Sequence, residues 1–71
     1  MTESVYKVIT LVGTHPDSWD EAAKVAVNRA AKSLRDLRVA EVIEQDMVIE
    51  GGQVKGYRTK VRVSFKYEGQ G

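Results

Sequence analysis

Cysteine is absent from the 71 residues, so neither disulfides nor thiolate metal sites can support the fold. A chain this short buries only ~60% of the surface that its unfolded form exposes, which leaves a solitary core marginal. Self-association is the expected support in their place. Proline occurs once, at Pro16, and no stretch has the composition of a linker, a repeat or a low-complexity tract. An excess of one charge is also missing. Charged residues make up 30% of the chain yet nearly cancel, at a net +1, so no broad attraction to nucleic acid or to an anionic membrane follows. No apolar run approaches the ~20 residues of a spanning helix. The opening Met1-Thr2-Glu3-Ser4 is polar and unlike a signal peptide. A cytoplasmic protein without a membrane partner is expected.

What is present falls into segments joined by short turns. Residues 5–12 (VYKVITLV) are dense in β-branched and aromatic side chains and predict a strand. Its two faces, Val5/Ile9/Leu11 and Tyr6/Val8/Val12, are both substantially apolar and need cover on both sides. Gly13-Thr14-His15-Pro16 is expected to break it. Ser18 and Glu21 then fit a capping box, with Asp17 as the alternative N-cap. Trp19, Ala22, Ala23, Ala26, Ala30, Leu34 and Leu37 form an apolar stripe on a helix expected to end between residues 34 and 37. So much alanine suits a helix lying close against a sheet.

Residues 39–49 predict a second, long strand, and Gly51-Gly52 a hairpin. In the third strand Tyr57, Thr59, Val61, Val63, Phe65 and Tyr67 alternate with Arg58, Lys60, Arg62, Ser64 and Lys66, one apolar face and one polar. A two-residue loop at Gly51-Gly52 would put Glu44 and Asp46 on the apolar face of that strand. A three-residue loop ending at Gln53 sets Asp46 opposite Arg58 and Glu44 opposite Lys60, and opposite charges favour this second register. The expected architecture is α+β: a β-α-β-β chain with a three-stranded antiparallel sheet and one helix, in one domain over residues 1–71. The helix covers one face of the sheet. The second apolar face of the first strand has no partner within the chain, and a homo-oligomer is the physical consequence.

In order, VYKVITLVGT, SWDEAAKVAVNRAAKSL, RVAEVIEQDM, a glycine turn and YRTKVRVSFK resemble a dodecin over residues 5–67. The resemblance implies a hollow homododecamer in which each three-stranded sheet wraps around its own helix and strands pair across subunits. Most dodecins bind flavins: a tryptophan at the start of the second strand stacks on the ring, and a glutamine on the third strand bonds its edge. Those positions here are Val39 and Arg58. RVAEVIEQDM, Ser18-Trp19 and YRTKVRVSFK are similar to a tryptophan-less branch described as calcium dodecins. The resemblance therefore implies a calcium- or cation-binding storage shell. The alternative is a flavin-binding (FMN or riboflavin) dodecin with an altered pocket.

Calcium takes about six to eight oxygen ligands. No EF-hand-type loop is present, so a site has to be assembled from scattered oxygens. Glu44, Asp46 and Glu50, Ser33 and Asp36, or Asp17 and Asp20 supply them, and symmetry multiplies each one. Glu44 and Asp46 lead, being two apart on a strand. Arg58 either pairs with Asp46 or a neighbouring subunit, or presents its guanidinium plane to a ring or phosphate. Trp19, on the apolar stripe, is expected in core or interface packing, His15 in a surface turn, and Met47 as a core gap-filler. The basic row Arg58, Lys60, Arg62 and Lys66 is answered by the acids of the second strand, so nucleic acid is not an expected partner. Nucleophile–base pair, metal triad and phosphate loop are all lacking, and no enzymatic activity is expected.

Overall fold

The alternating segment late in the chain becomes the middle of the sheet. In the computed structural model, which describes residues 3–67, the elements are β1 (Tyr6–His15), α1 (Trp19–Ala31), β2 (Leu37–Glu50) and β3 (Gln53–Lys66). Met1 and Thr2 of the polar opening lie outside the described residues. The strand order is β1-β3-β2, antiparallel throughout, so the helix carries the chain across the sheet and the hairpin returns it to the centre. This is the expected β-α-β-β arrangement. Among the described residues no helix is long and apolar enough to cross a membrane.

α1 starts as its cap predicts. Ser18 is extended and its Oγ accepts the Glu21 amide at 3.1 Å. The reciprocal half of the box is replaced: the Glu21 carboxylate faces Lys24 at 3.8 Å. The helix ends at Ala31, earlier than its stripe suggests, although the Leu34 amide still bonds the Ala30 carbonyl at 2.9 Å. Asp36, at φ 58, then turns the chain, and Leu37 reaches the core from β2 and not from the helix.

β1 also differs from expectation, running through Gly13 to His15. Gly13 does not break the strand; it lets the helix approach. A Cβ there would land on the Ala22 carbonyl oxygen and stand 3.0 Å from the Ala26 Cβ. Across this contact Ala22, Ala26 and Ala30 are buried against Thr59, Val61 and Val63, with Ile9, Leu11, Val27 and Leu37 around them. On the far face of β1, Tyr6, Val8 and Val12 remain exposed, the uncovered apolar surface that the sequence implies.

The hairpin reaches the expected register by a different route. Its loop is Gly51-Gly52 alone, flanked by the pair Glu50–Gln53, with both glycines at positive φ (57 and 75) as a type I′ turn requires. A shift between Val48 and Ile49, with Lys55 as the extra residue on β3, then corrects the phase. Asp46 thereby faces Arg58, and Glu44 faces Lys60. β1 pairs with β3 only from Tyr57 onward, so the turn end of the hairpin projects beyond it and the protomer measures 54 × 20 × 18 Å. The helix lies on β1 and β3 and hardly reaches β2. Met47, on the helix side of β2, is consequently half exposed in the protomer and fills no core gap there.

Candidate cation-binding face

The sheet face turned away from the helix carries a ladder of ion pairs between β2 and β3. Arg58 grips Asp46 with both arms of its fork, Nε to Oδ1 and Nη2 to Oδ2, each at 2.7 Å. Lys60 Nζ lies 3.1 Å from Glu44 Oε1, and Arg62 Nη1 donates to Glu41 Oε1 at 3.2 Å. Asp46 and Arg58 are each about half exposed, at 50% and 48%, so the pair stays within reach of water and of other solutes. Hydrogen bonding from Arg58 holds the Asp46 carboxyl below the usual range; desolvation opposes this, and the charges of Arg58 and Lys60 add to the lowering. The same bond raises Arg58 further.

Glu41 is the member of the ladder that strand periodicity conceals. Strict alternation places an odd-numbered acid on the face opposite Glu44 and Asp46. A register shift between Val42 and Glu44 inserts Ile43 as an extra residue and brings Glu41 onto the same face. The signal for it was charge: Glu41 meets Arg62 as Asp46 meets Arg58.

Of the other acids considered, Asp17 donates its amide to His15 Nδ1 at 3.0 Å, which fixes that ring at the end of β1. Asp20 lies in the first turn of α1, Asp36 in the turn before β2, and Glu50 beside the hairpin loop. Among the described residues no three His, Cys, Asp or Glu side chains gather where one protomer alone would hold a metal ion. Val39 and Arg58, the positions that the resemblance implies for a flavin pocket, lie on the ladder face, Val39 opposite Ser64. Ser64 and Arg58 are six residues apart on β3, ~20 Å at strand spacing, so one protomer does not bring Val39 and Arg58 together.

Behind the ladder stands Trp19. Its Nε1–H donates to the Asp46 carbonyl oxygen at 2.9 Å, its own carbonyl accepts the Thr59 hydroxyl at 2.9 Å, and its ring meets Tyr57 edge-on at 5.0 Å and 75°. Packing was the expected role of this residue. The polar tie to β2 depends on the folded register and left no mark in the sequence.

Comparison with known proteins places this geometry in context. The dodecin family model matches residues 5–68. Calcium dodecin of Mycobacterium tuberculosis is 56% identical over 63 residues, 89% of each chain. Dodecin of Thermus thermophilus is 39% identical over 64 residues, 90% of this chain and 93% of that one. Among solved structures, dodecin from Streptomyces coelicolor superposes with a TM-score of 0.91 at 37% identity, covering 99% of this chain and all of the other. The M. tuberculosis calcium dodecin crystal structure, described as calcium-chelating with a calcium-binding site, gives 0.83 at 52% identity, with 96% and 97% covered. This chain, with its β-α-β-β fold, belongs to the dodecin family.

Proposed function

We propose that the protein is a homododecameric calcium-binding shell, in which Glu44 and Asp46 from several protomers converge on the cation. The observation that carries this reading is the outward carboxylate row on the edge strand β2, in a chain 56% identical to a protein named calcium dodecin. Hard carboxylate oxygens suit calcium, whose large, flexible coordination sphere tolerates the irregular geometry of a subunit junction. One protomer offers too few convergent oxygens, so symmetry has to supply the rest. Surface left uncovered in the protomer, on the far face of β1 and along the helix side of β2, supports assembly into a closed oligomer. Binding or storage, and no chemical conversion, is the role proposed.

Arg58 and Lys60 already neutralise the two acids, so a cation has to displace them. Calcium titration by calorimetry, beside thermal melting with calcium or sodium at equal ionic strength, tests the proposal. A calcium-specific rise in melting temperature, lost in Asp46→Asn and Glu44→Gln, is the expected result. A calcium-specific rise that survives both substitutions moves the site to Asp17, Asp20 or Asp36. No calcium-specific rise at all overturns the reading.

A further inference from the structure

Glu44 and Asp46 stand in a short run of hairpin bounded by irregularities on both sides. Pairing shifts between Val42 and Glu44, and again between Val48 and Ile49. Between the shifts, Glu44, Gln45, Asp46, Met47 and Val48 face Lys60, Thr59, Arg58, Tyr57 and Gly56 without interruption. β2 is the edge strand here, and the helix gives it little cover. A slip of one residue within the run would carry both acids to the opposite face of the sheet. Two bulges so close together offer places for such a slip to be absorbed.

Trp19, outside the hairpin, is bonded to both strands of this run. Its indole N–H holds the Asp46 carbonyl on β2 at 2.9 Å, and its carbonyl takes the hydroxyl of Thr59 on β3 at 2.9 Å. Thr59 is fully buried and faces Gln45, the residue next to Asp46. The ring edge packs on Tyr57, the partner of Met47. Packing alone asks only for an aromatic ring. The N–H on a β2 carbonyl and the hydroxyl from β3 on the tryptophan backbone fix where each strand stands relative to the same helical residue.

We propose that Trp19 is a register clamp: a positioning residue that ties β2 and β3 to the start of α1 and thereby keeps Glu44 and Asp46 on the outer face. The consequence for cation binding rests on the function proposed above; the clamp itself does not.

Trp19→Phe retains an aromatic ring and removes the N–H, while Thr59→Val retains the shape and removes the hydroxyl. The experiment measures backbone amide hydrogen exchange, resolved by segment, and calcium affinity on the assembled protein. Loss of one such bond is expected to speed exchange about five- to tenfold across residues 44–48 and 56–60, leaving the β1–β3 pairs around Ile9–Val63 unchanged. Calcium affinity is expected to fall by a similar factor. Unchanged exchange in the run, or a uniform rise over the whole sheet, in both variants overturns the clamp. If the unsubstituted protein binds no calcium but the local rise in exchange occurs, the cation reading fails and the clamp stands.

Discussion

At the scale of single residues, Gly13 governs how closely the helix can lie on the sheet. Its missing side chain makes room for the Ala22 backbone, and Ala26 completes the contact. Gly13→Ala is expected to cost ~1–3 kcal/mol through overpacking, measured by urea denaturation. Gly56→Ala is the control: its Cβ would stand an ordinary 3.6 Å from the His15 carbonyl, and little change is expected. In sequence a glycine announces either a turn or a close approach. Read beside Thr14-His15-Pro16, Gly13 suggested a turn, whereas its true partners are alanines on the following helix. Val39 and Arg58 raise a different question. If the resemblance places a flavin pocket at these positions, Val39→Trp with Arg58→Gln supplies a stacking face and an amide there, each worth ~0.5–1.5 kcal/mol, and is expected to tighten flavin binding about ten- to a hundredfold. Riboflavin fluorescence quenching measures it. Because the two positions are ~20 Å apart along the sheet of one protomer, the full gain requires the assembled protein.

At the scale of elements, the hairpin shows what pattern can and cannot reveal. Charge alone paired Asp46 with Arg58 and Glu44 with Lys60, and the structure has both. Loop length did not follow, because the extra residue at Lys55 leaves no signature in alternation, and Ile43 hid Glu41 in the same way. The helix start was legible from Ser18, but its end was not: the stripe continues through Leu34 to Leu37, whereas the helix ends at Ala31 and the positive φ of Asp36 turns the chain before Leu37 enters the strand. The Asp46–Arg58 pair gives this element an acid dependence. The Asp46 carboxyl titrates lower in the fold than in the unfolded chain, chiefly because Arg58 donates to it. The native state therefore binds fewer protons than the unfolded state between those two values. The contribution is complete above the ordinary aspartate value of ~3.9 and is lost as pH falls through the lowered one. Arg58→Gln is expected to melt below the unsubstituted protein at neutral pH, with the gap closing in strong acid. A gap of constant size throughout would assign the role of Arg58 to packing.

At the scale of the whole molecule, the protomer leaves apolar surface exposed, which the proposed assembly would cover. Among the described residues the buried apolar core consists of Ala22, Ala26, Ala30, Val61 and Val63, three of them alanines, while Val42 and Met47 on the helix side of β2 are 51% and 45% exposed. Ile49 and its partner Val54 extend that stripe along the projecting arm of the hairpin. Covering one such side chain is worth ~1.5–3 kcal/mol, so a few per junction outweigh what so small a core provides alone. In the proposed shell, folding and assembly are one equilibrium, and the melting temperature is expected to rise with protein concentration. Met47→Glu places a charge in the middle of the stripe, where an assembled neighbour would strip its water without offering a partner. Light scattering on this variant is expected to show species smaller than those of the unsubstituted protein, at equal micromolar concentration. Lys24→Gln, on the exposed side of α1, is expected to leave the mass unaltered. If Met47→Glu assembles as before, the arm remains in water within the oligomer, and the contacts that build the shell lie on the Val8–Val12 face of β1 instead. A stable ~8 kDa monomer from the unsubstituted chain would defeat the assembly itself, because then a core this small would have to suffice.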